Sequence, residues 1–323
     1  MGTTSLGCES EAQQPLSDRL KKSPTVVAVI LNWNGFGDTS NCIRSLLCSS
    51  YPNLEIVIVD NGSSKDEWEK LIRAFGNRVR LFRLESNSGF AAGSNFGIER
   101  ARDIGADYVF LMNNDAEAKA DCLSLLVSAA ETHRGGGVFG PVIYDYNDRG
   151  RIQTAGGVVS VWRSMSFGDR KISLDKAEMD SACRTGWLSG TAILVRMSML
   201  QQVGSFDPIY FAYLEETDLE IRAMRLGWSL YCVPNAAVYH KCASSTDALS
   251  RIRVNGMTRN RLIFLKRYAT SSQILAFSAY YAVWGLPFGV AISVLKARTL
   301  SFSGLIAFAR DLVEGLAGGV LAN

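Results

Sequence analysis

The residues best equipped for chemistry in this chain fall into short clusters. Asn32-Trp33-Asn34-Gly35, Asp60-Asn61-Gly62-Ser63-Ser64, the run from Asn87 to Asn95 and Asn113-Asn114-Asp115 combine hydrogen-bonding side chains with glycines that permit close backbone approach. Any one of them is also an ordinary turn, because Asn, Asp, Gly and Ser are the residues turns favour. A further cluster, Leu214-Glu215-Glu216-Thr217-Asp218, places three carboxylates within four residues. Such acids suit a general base that removes a proton from an attacking hydroxyl. They equally suit the first turn of a helix, whose dipole favours negative charge. His240 is one of only two histidines, and a neutral imidazole is a competent ligand for Mn²⁺, although a lone histidine is more often structural. His133, in a polar helix end beside Gly135-Gly136-Gly137, reads as surface.

What must position these clusters is legible from periodicity. Val26–Leu31, Leu54–Val59, Val79–Leu84 and Tyr108–Met112 read as strands. They alternate with helical patterns at Thr39–Leu47, Lys65–Phe75, Gly93–Ile104 and about Asp121–Thr132. Strand–helix alternation predicts an α/β chain with a doubly wound, mainly parallel sheet flanked by helices, and ligands on such sheets sit beyond the carboxyl ends of the strands. The polar clusters fall at those ends, or in the loop after the third strand, and together they point to a site. Further on, Trp187-Leu188-Ser189-Gly190-Thr191 precedes a strand at Ala192–Val195. Trp228–Val233 reads as another strand, ended by a Pro234-Asn235 turn.

Composition narrows the function classes. The 323 residues are 47% hydrophobic and 20% charged, which describes a core-burying globular protein. A net charge of +3, with no basic stripe in the first 250 residues, argues against nucleic acid as a partner. Seven scattered cysteines without Cys-x-x-Cys spacing argue against a disulfide framework or a zinc site, and read as reduced cytosolic thiols. The chain lacks Gly-x-Gly-x-x-Gly after the first strand and the Gly-x-x-x-x-Gly-Lys-Ser/Thr phosphate loop, so a nucleotide must be held in another way.

The two ends differ. Residues 1–23 are polar, carry no apolar run of signal-peptide type, and read as a flexible tail. Tyr268 to Leu295 carries no charge, and Ile274–Leu295 is largely apolar, long enough to span a bilayer but interrupted by Gly285, Pro287 and Gly289. Arg251, Arg253, Arg259, Arg261, Lys266 and Arg267 precede it, and Lys296 and Arg298 follow. That flank suits an anionic cytoplasmic leaflet. Residues 269–323 are therefore expected to form an apolar or amphipathic helical appendage that associates with the inner face of the plasma membrane. A kinked or interfacial helix, or one packed on the remainder of the chain, fits the same pattern.

The stretches VILNWNG, IVIVDNGSS, NSGFAAGSNFGI, YVFLMNNDA, GWLSGTAILVR, VGSFDPIYFAYLEETDLEIR and GWSLYCVPNAAVYH cover roughly Val26 to His240. In order and spacing they resemble the family 2 glycosyltransferases of GT-A fold, particularly the rhamnosyltransferase-like branch. The resemblance implies a GT-A domain over 24–268 that moves a sugar from a nucleotide-diphosphate donor to a hydroxyl of a cell-surface glycan or lipid-linked acceptor, with inversion at the anomeric carbon. It implies a donor pocket of Asn32, Asn34, Asp60, Asn61, Asn87, Gly89, Asn95, Asn113 and Asn114. Asp60 would contact base and ribose, and Asn87–Asn95 would form a flexible wall over the donor.

By the same resemblance Asn113-Asn114-Asp115 stands where the family carries its Asp-x-Asp metal motif, here without the first carboxylate. Asp115 is left as the single anchor for Mg²⁺ or Mn²⁺, with the diphosphate completing the shell and His240 as a second protein ligand. The second acid of the family's acidic motif maps to Glu216 as general base, with Glu215 as runner-up and Asp218 as a cap or orienting group. Trp187, Ser189 and Gly190 are expected on the acceptor and sugar side, with Phe206-Asp207 and Tyr210-Phe211 shaping it. The branch makes dTDP-rhamnose a candidate donor, and UDP-sugars stay open. The competing reading is a catalytically silent binding or scaffold protein on the same fold. Nucleotidyl transfer is disfavoured, because Val29–Gly37 lacks the usual glycine-rich phosphate loop.

Overall fold

The computed structural model of the chain describes residues 23–160, 165–168, 182–241 and 251–280, together with Glu314. Its first half is built from β1 (Val26–Asn32), α1 (Phe36–Leu47), β2 (Leu54–Asn61), α2 (Lys65–Phe75), β3 (Arg80–Leu84), α3 (Gly89–Ile104) and β4 (Tyr108–Asn113). The four strands lie in the order β3-β2-β1-β4, all parallel. The chain winds outward from β1 to β3, then crosses back to place β4 on the other side of β1. The connections therefore diverge above the β1 and β4 carboxyl ends, which is where such a sheet opens a crevice.

β1 shows why these strands read as unbroken apolar runs. Val26, Ala28 and Ile30 enter the cluster containing Cys42, Ile43 and Leu46 of α1, while Val27 and Val29 enter the cluster containing Ile98 and Ala101 of α3. With both faces covered, alternation disappears from the sequence. The α3 helix lies very close to the sheet. A Cβ on Gly97 would sit 2.2 Å from Val29 Cγ1, so only glycine fits there.

The second half is less regular. It comprises β5 (Ala116–Ala118), α4 (Cys122–Thr132), β6 (Gly136–Asp145), β7 (Ile152–Thr154), β8 (Gly157–Ser160), β9 (Met165–Gly168), β10 (Cys183–Thr185), β11 (Ala192–Arg196), α5 (Met197–Val203), α6 (Glu215–Arg225), β12 (Ser229–His240), α7 (Arg251–Tyr268) and α8 (Ser271–Tyr280). β11 inserts antiparallel between β4 and β6, β12 runs parallel to β6, and β10 is antiparallel at the edge. The sheet is mixed, all parallel in its first half and of both senses in its second.

Several local expectations are corrected. The flexible wall expected at Asn87–Asn95 is helix from Gly89 onward. Asn87 Oδ1 accepts from Gly89 N at 2.9 Å, and Gly89 takes a φ of 86°, so the helix starts four residues earlier than the sequence pattern suggests. Pro234-Asn235 makes no turn. β12 runs through it with a register shift between Val233 and Ala237, an irregularity that absorbs a proline lacking its N–H donor. His133 is not simply surface, since its ring stacks on Tyr231 with centroids 4.4 Å apart.

Cys42, Cys48, Cys122, Cys183 and Cys232 are free thiols among the described residues, and Cys8 and Cys242 lie outside them. The tail at 1–22 also lies outside them, as does most of the apolar segment Ile274–Leu295. Among the described residues no helix is long and apolar enough to cross a membrane.

Candidate active site

The crevice floor is organised by Asn32 at the end of β1. Its Nδ2 donates to Asp60 Oδ1 (2.8 Å) and Ser63 Oγ (3.2 Å), while its Oδ1 accepts from Thr39 Oγ1 (2.7 Å) and Gly35 N (3.3 Å). One buried side chain thus ties the β1 loop to the β2 loop and to α1. Asp60, fully buried, also accepts from Ser63 N and faces Arg83 Nε at 3.5 Å. Arg83 further donates to Ser63 O at 2.8 Å, which keeps the buried carboxylate next to a fixed cation.

Asn34 takes a positive φ of 50° and accepts from Ser64 N, joining the two loops a second time. Asn61 donates to Asn87 Oδ1 (3.0 Å) and Gly89 O (3.1 Å) and accepts from Ser88, which anchors the start of α3. Asn95 brackets Phe206 through both its amide atoms. Asn32, Asn61 and Asn95 therefore shape the crevice with side chains committed to the protein.

At the end of β4, Asn113 N donates to Thr191 O (2.8 Å) and Asn114 Nδ2 to Thr39 Oγ1 (3.0 Å). Asp115, almost buried, presents Oδ1 to His240 Nε2 at 3.2 Å. Strand pairing brings them together, because β12 runs antiparallel to β5 with His240 opposite Ala116. Gln153, unremarked in the sequence, fixes the imidazole. Its Nε2 donates to His240 O (2.8 Å), so its Oε1 faces His240 Nδ1 (3.0 Å) and accepts that nitrogen's proton. With the proton on Nδ1, the neutral form of this imidazole is the tautomer that offers an Nε2 lone pair to a cation shared with the carboxylate. Two acceptors at 3.2 Å fit a shared cation, and carboxylate plus imidazole is a donor set suited to Mn²⁺. Among the described residues no group of three or more His, Cys, Asp or Glu side chains gathers to hold a metal, so further ligands would come from phosphate and water. Lys241, next in sequence, ion-pairs with Asp38 of α1 at 2.5 Å.

The acid cluster opens α6. Leu214 is its N-cap with a φ of 70°, preceded by Tyr213 at 77°. Two successive non-glycine residues in this region cost on the order of 1–3 kcal/mol each and persist only where surrounding structure holds them. Glu216 packs against Gly190, where a Cβ would lie 3.2 Å from Glu216 Cγ. Since Thr191 O receives the Asn113 N–H, the end of β4 and the acid turn meet across two residues of one loop.

Burial raises the Glu216 pKa above the ordinary glutamate value, and backbone donors at the helix start oppose the rise. Burial, reinforced by the Glu216 charge, pushes Glu215 and Glu220 well up. Both Glu220 oxygens accept from Leu188 N (3.2 and 3.3 Å), fixing the loop that carries Trp187, Ser189 and Gly190. Trp187 Nε1 donates to Thr217 Oγ1 (3.2 Å) and the residue is 8% exposed, which leaves little of it open to a sugar. Ser189 Oγ donates to Thr191 Oγ1 (3.0 Å). Asp218 is wholly buried among Arg222, Arg267 and Tyr268, the placement of an orienting group.

Residues 27–194, just over half of the chain, match the family model described as glycosyl transferase family 2. The chain belongs to this family. This glycosyltransferase is 30% identical over 244 residues to the N-acetylglucosaminyl-diphospho-decaprenol L-rhamnosyltransferase of Mycobacterium tuberculosis, covering 69% of this chain and 78% of that one. It is 27% identical over 165 residues to the rhamnosyltransferase WbbL of Escherichia coli K12, covering 47% and 60%. The fold is shared with the crystal structure of GalNAc-T7 with UDP, GalNAc and Mn²⁺ (TM-score 0.63, 17% identity, 91% of this chain and 55% of that chain). It is shared also with a mannosyltransferase from Pyrobaculum calidifontis in complex with GDP-Man and Mn²⁺ (TM-score 0.56, 15% identity, 93% and 87%). The GT-A-like α/β architecture and the rhamnosyltransferase-like character expected from the motifs both hold.

Proposed function

We propose that this glycosyltransferase moves L-rhamnose from dTDP-L-rhamnose to a sugar hydroxyl of a lipid-linked diphosphate acceptor, in a metal-assisted, inverting displacement at a membrane surface. The reading is supported above all by the Asn113–Thr191 contact, which joins the strand end leading to Asp115 to the loop against which Glu216 packs. The rhamnosyltransferase relatives, one named for an N-acetylglucosaminyl-diphospho-decaprenol substrate, support the donor sugar and the acceptor class.

In this reading Glu216 takes the proton of the acceptor hydroxyl as its oxygen attacks the anomeric carbon. The raised pKa of Glu216 suits a base that must hold a proton after the transfer. The bond to the nucleoside diphosphate breaks on the opposite face, so one displacement inverts the configuration. Asp115 and His240 are the residues that would hold Mg²⁺ or Mn²⁺, whose charge offsets that developing on the departing diphosphate. Asn32, Asp60 and Arg83 keep the nucleotide end of the crevice rigid, and Gly190 leaves room for the base.

A donor screen with dTDP-L-rhamnose, UDP-GlcNAc and GDP-mannose, each with Mg²⁺ or Mn²⁺, tests this. Turnover of dTDP-L-rhamnose is expected, with a product of inverted anomeric configuration by NMR. Asp115→Ala and Glu216→Gln should each lower kcat by at least about 10²-fold, with thermal melting unchanged. Near-normal turnover in both variants would remove the assignment, and hydrolysis of no donor would favour a silent scaffold.

A further inference from the structure

Helix α7 packs beside the acid turn, and one of its side chains is spent on that turn. Asn260 is 1% exposed, and its Nδ2 donates to both Ala212 O and Tyr213 O at 2.8 Å. Both hydrogens of one amide group are thus used on successive carbonyls. Those carbonyls belong to the segment in which Tyr213 and Leu214 adopt positive φ, directly before Glu215 and Glu216. Backbone held in that region relaxes when its restraints go.

The same helix grips the segment at other points. Arg259 Nη1 donates to Ile209 O (2.5 Å), Arg267 pairs with Asp207 (2.6 Å) and Asp218 (3.1 Å), and the Tyr268 hydroxyl donates to Asp218 Oδ1 (2.6 Å). The nucleotide end of the crevice is built differently, from β1, β2, β4 and α1.

We propose that Asn260 is a positioning residue for the catalytic base: its amide holds the strained Tyr213–Leu214 turn in the conformation that aims Glu216. The inference rests on the reading of Glu216 as the base. It makes turnover depend on the docking of α7 while leaving donor binding independent of it. An aspartate at 260 has the same shape but sets carboxylate oxygens against two carbonyls. An alanine removes both of these hydrogen bonds.

The test uses the full chain and steady-state kinetics with dTDP-L-rhamnose, or with the donor that replaces it in the screen above. Rates are normalised to the fraction of protein that binds the matching nucleotide with Mn²⁺. Asn260→Ala and Asn260→Asp should lower kcat by about 10²-fold, the effect of misplacing a catalytic group by about 1 Å, while the donor KM stays within about threefold. Asn260→Ser, which keeps one small donor, should lie between them and the wild type, and it serves alone where the others do not bind nucleotide. A kcat within about threefold of wild type in Asn260→Ala, or in Asn260→Ser where that variant stands alone, would overturn the proposal, as would kcat and donor KM changing together. The control separates the two readings. Full activity in Glu216→Gln removes the base assignment, whereas an inactive Glu216→Gln beside a fully active Asn260→Ala removes only the role of Asn260.

Discussion

Gln153 decides what His240 can do. An imidazole ligates through whichever nitrogen lacks a proton, and the hydrogen bond made by the other nitrogen makes that choice. Here the Gln153 amide is itself oriented by the His240 carbonyl, so its oxygen faces Nδ1 and Nε2 is left toward Asp115. Replacing Gln153 by Leu removes the acceptor while retaining bulk. The expected outcome is an increase of about 10–100-fold in the Mn²⁺ concentration needed for half-maximal activity. The same weakening should appear in direct Mn²⁺ binding followed by electron paramagnetic resonance. An unchanged Mn²⁺ requirement would mean that His240 does not ligate. No sequence pattern signals Gln153, because it stands 87 residues from His240 and meets it only through the pairing of β7 and β12 with β6.

At the scale of elements, α6 carries the proposed base and buries two further carboxyls beside it. Glu215 and Glu220 are buried carboxyls on one helix whose charged forms burial disfavours. For Glu220 the folded-state pKa lies above the unfolded value near 4.5, so between the two values the folded chain holds a proton that the unfolded chain has released. Stability is then fully present below the unfolded pKa and falls as pH rises, by about 1.4 kcal/mol per pH unit for each such group. Glu220→Gln keeps an oxygen to accept from Leu188 N and removes the titration. Its melting temperature should match wild type below about pH 4.5 and exceed it increasingly as the pH rises above that value. Parallel curves would show that Glu220 does not titrate in that window.

These elements were unequally legible. β1, β2 and β4 announce themselves because burial on both faces gives continuous apolar runs closed by turn residues, whereas β3, at the sheet edge, is exposed at Arg80 and Arg83. The start of α3 did not, because Gly89 and Gly93 resemble a loop. They are glycines for packing reasons: a Cβ would meet Phe211 O at 2.5 Å from Gly89 and Leu31 Cδ1 at 2.6 Å from Gly93. β12 was cut short at Pro234 because a bulge, which leaves no local pattern, accommodates the proline. The acid cluster and Asp115 could be picked out by residue type, whereas Gln153, Glu220 and Asn260 act through contacts that only the assembled sheet and α7 create.

For the molecule as a whole, the proposed lipid-linked acceptor calls for a surface that meets a bilayer. The acid turn is braced by α7, where Arg267 is spent on Asp207 and Asp218 and the neighbouring Lys266 is exposed, and α7 leads directly into α8, where Ile274 and Leu275 are exposed. A surface that pairs a cation with exposed apolar side chains suits an anionic bilayer, to which each basic residue contributes about 1 kcal/mol. The full chain is expected to co-sediment with phosphatidylglycerol vesicles and only weakly with phosphatidylcholine vesicles. Raising salt from 0.1 M to 1 M shortens the screening length from about 10 Å to about 3 Å and should release most of the bound protein. Truncation after residue 268 should abolish what salt leaves behind. Salt-resistant binding to both vesicle types would point to apolar insertion as the main attachment, and no binding to either would mean that the acceptor is drawn out of its bilayer to reach the crevice. Placing α7 between the lipid surface and the acid turn then has a physical consequence. In the two proposals taken together, the helix that would bring the enzyme to its acceptor is the one that would hold the base in position to use it.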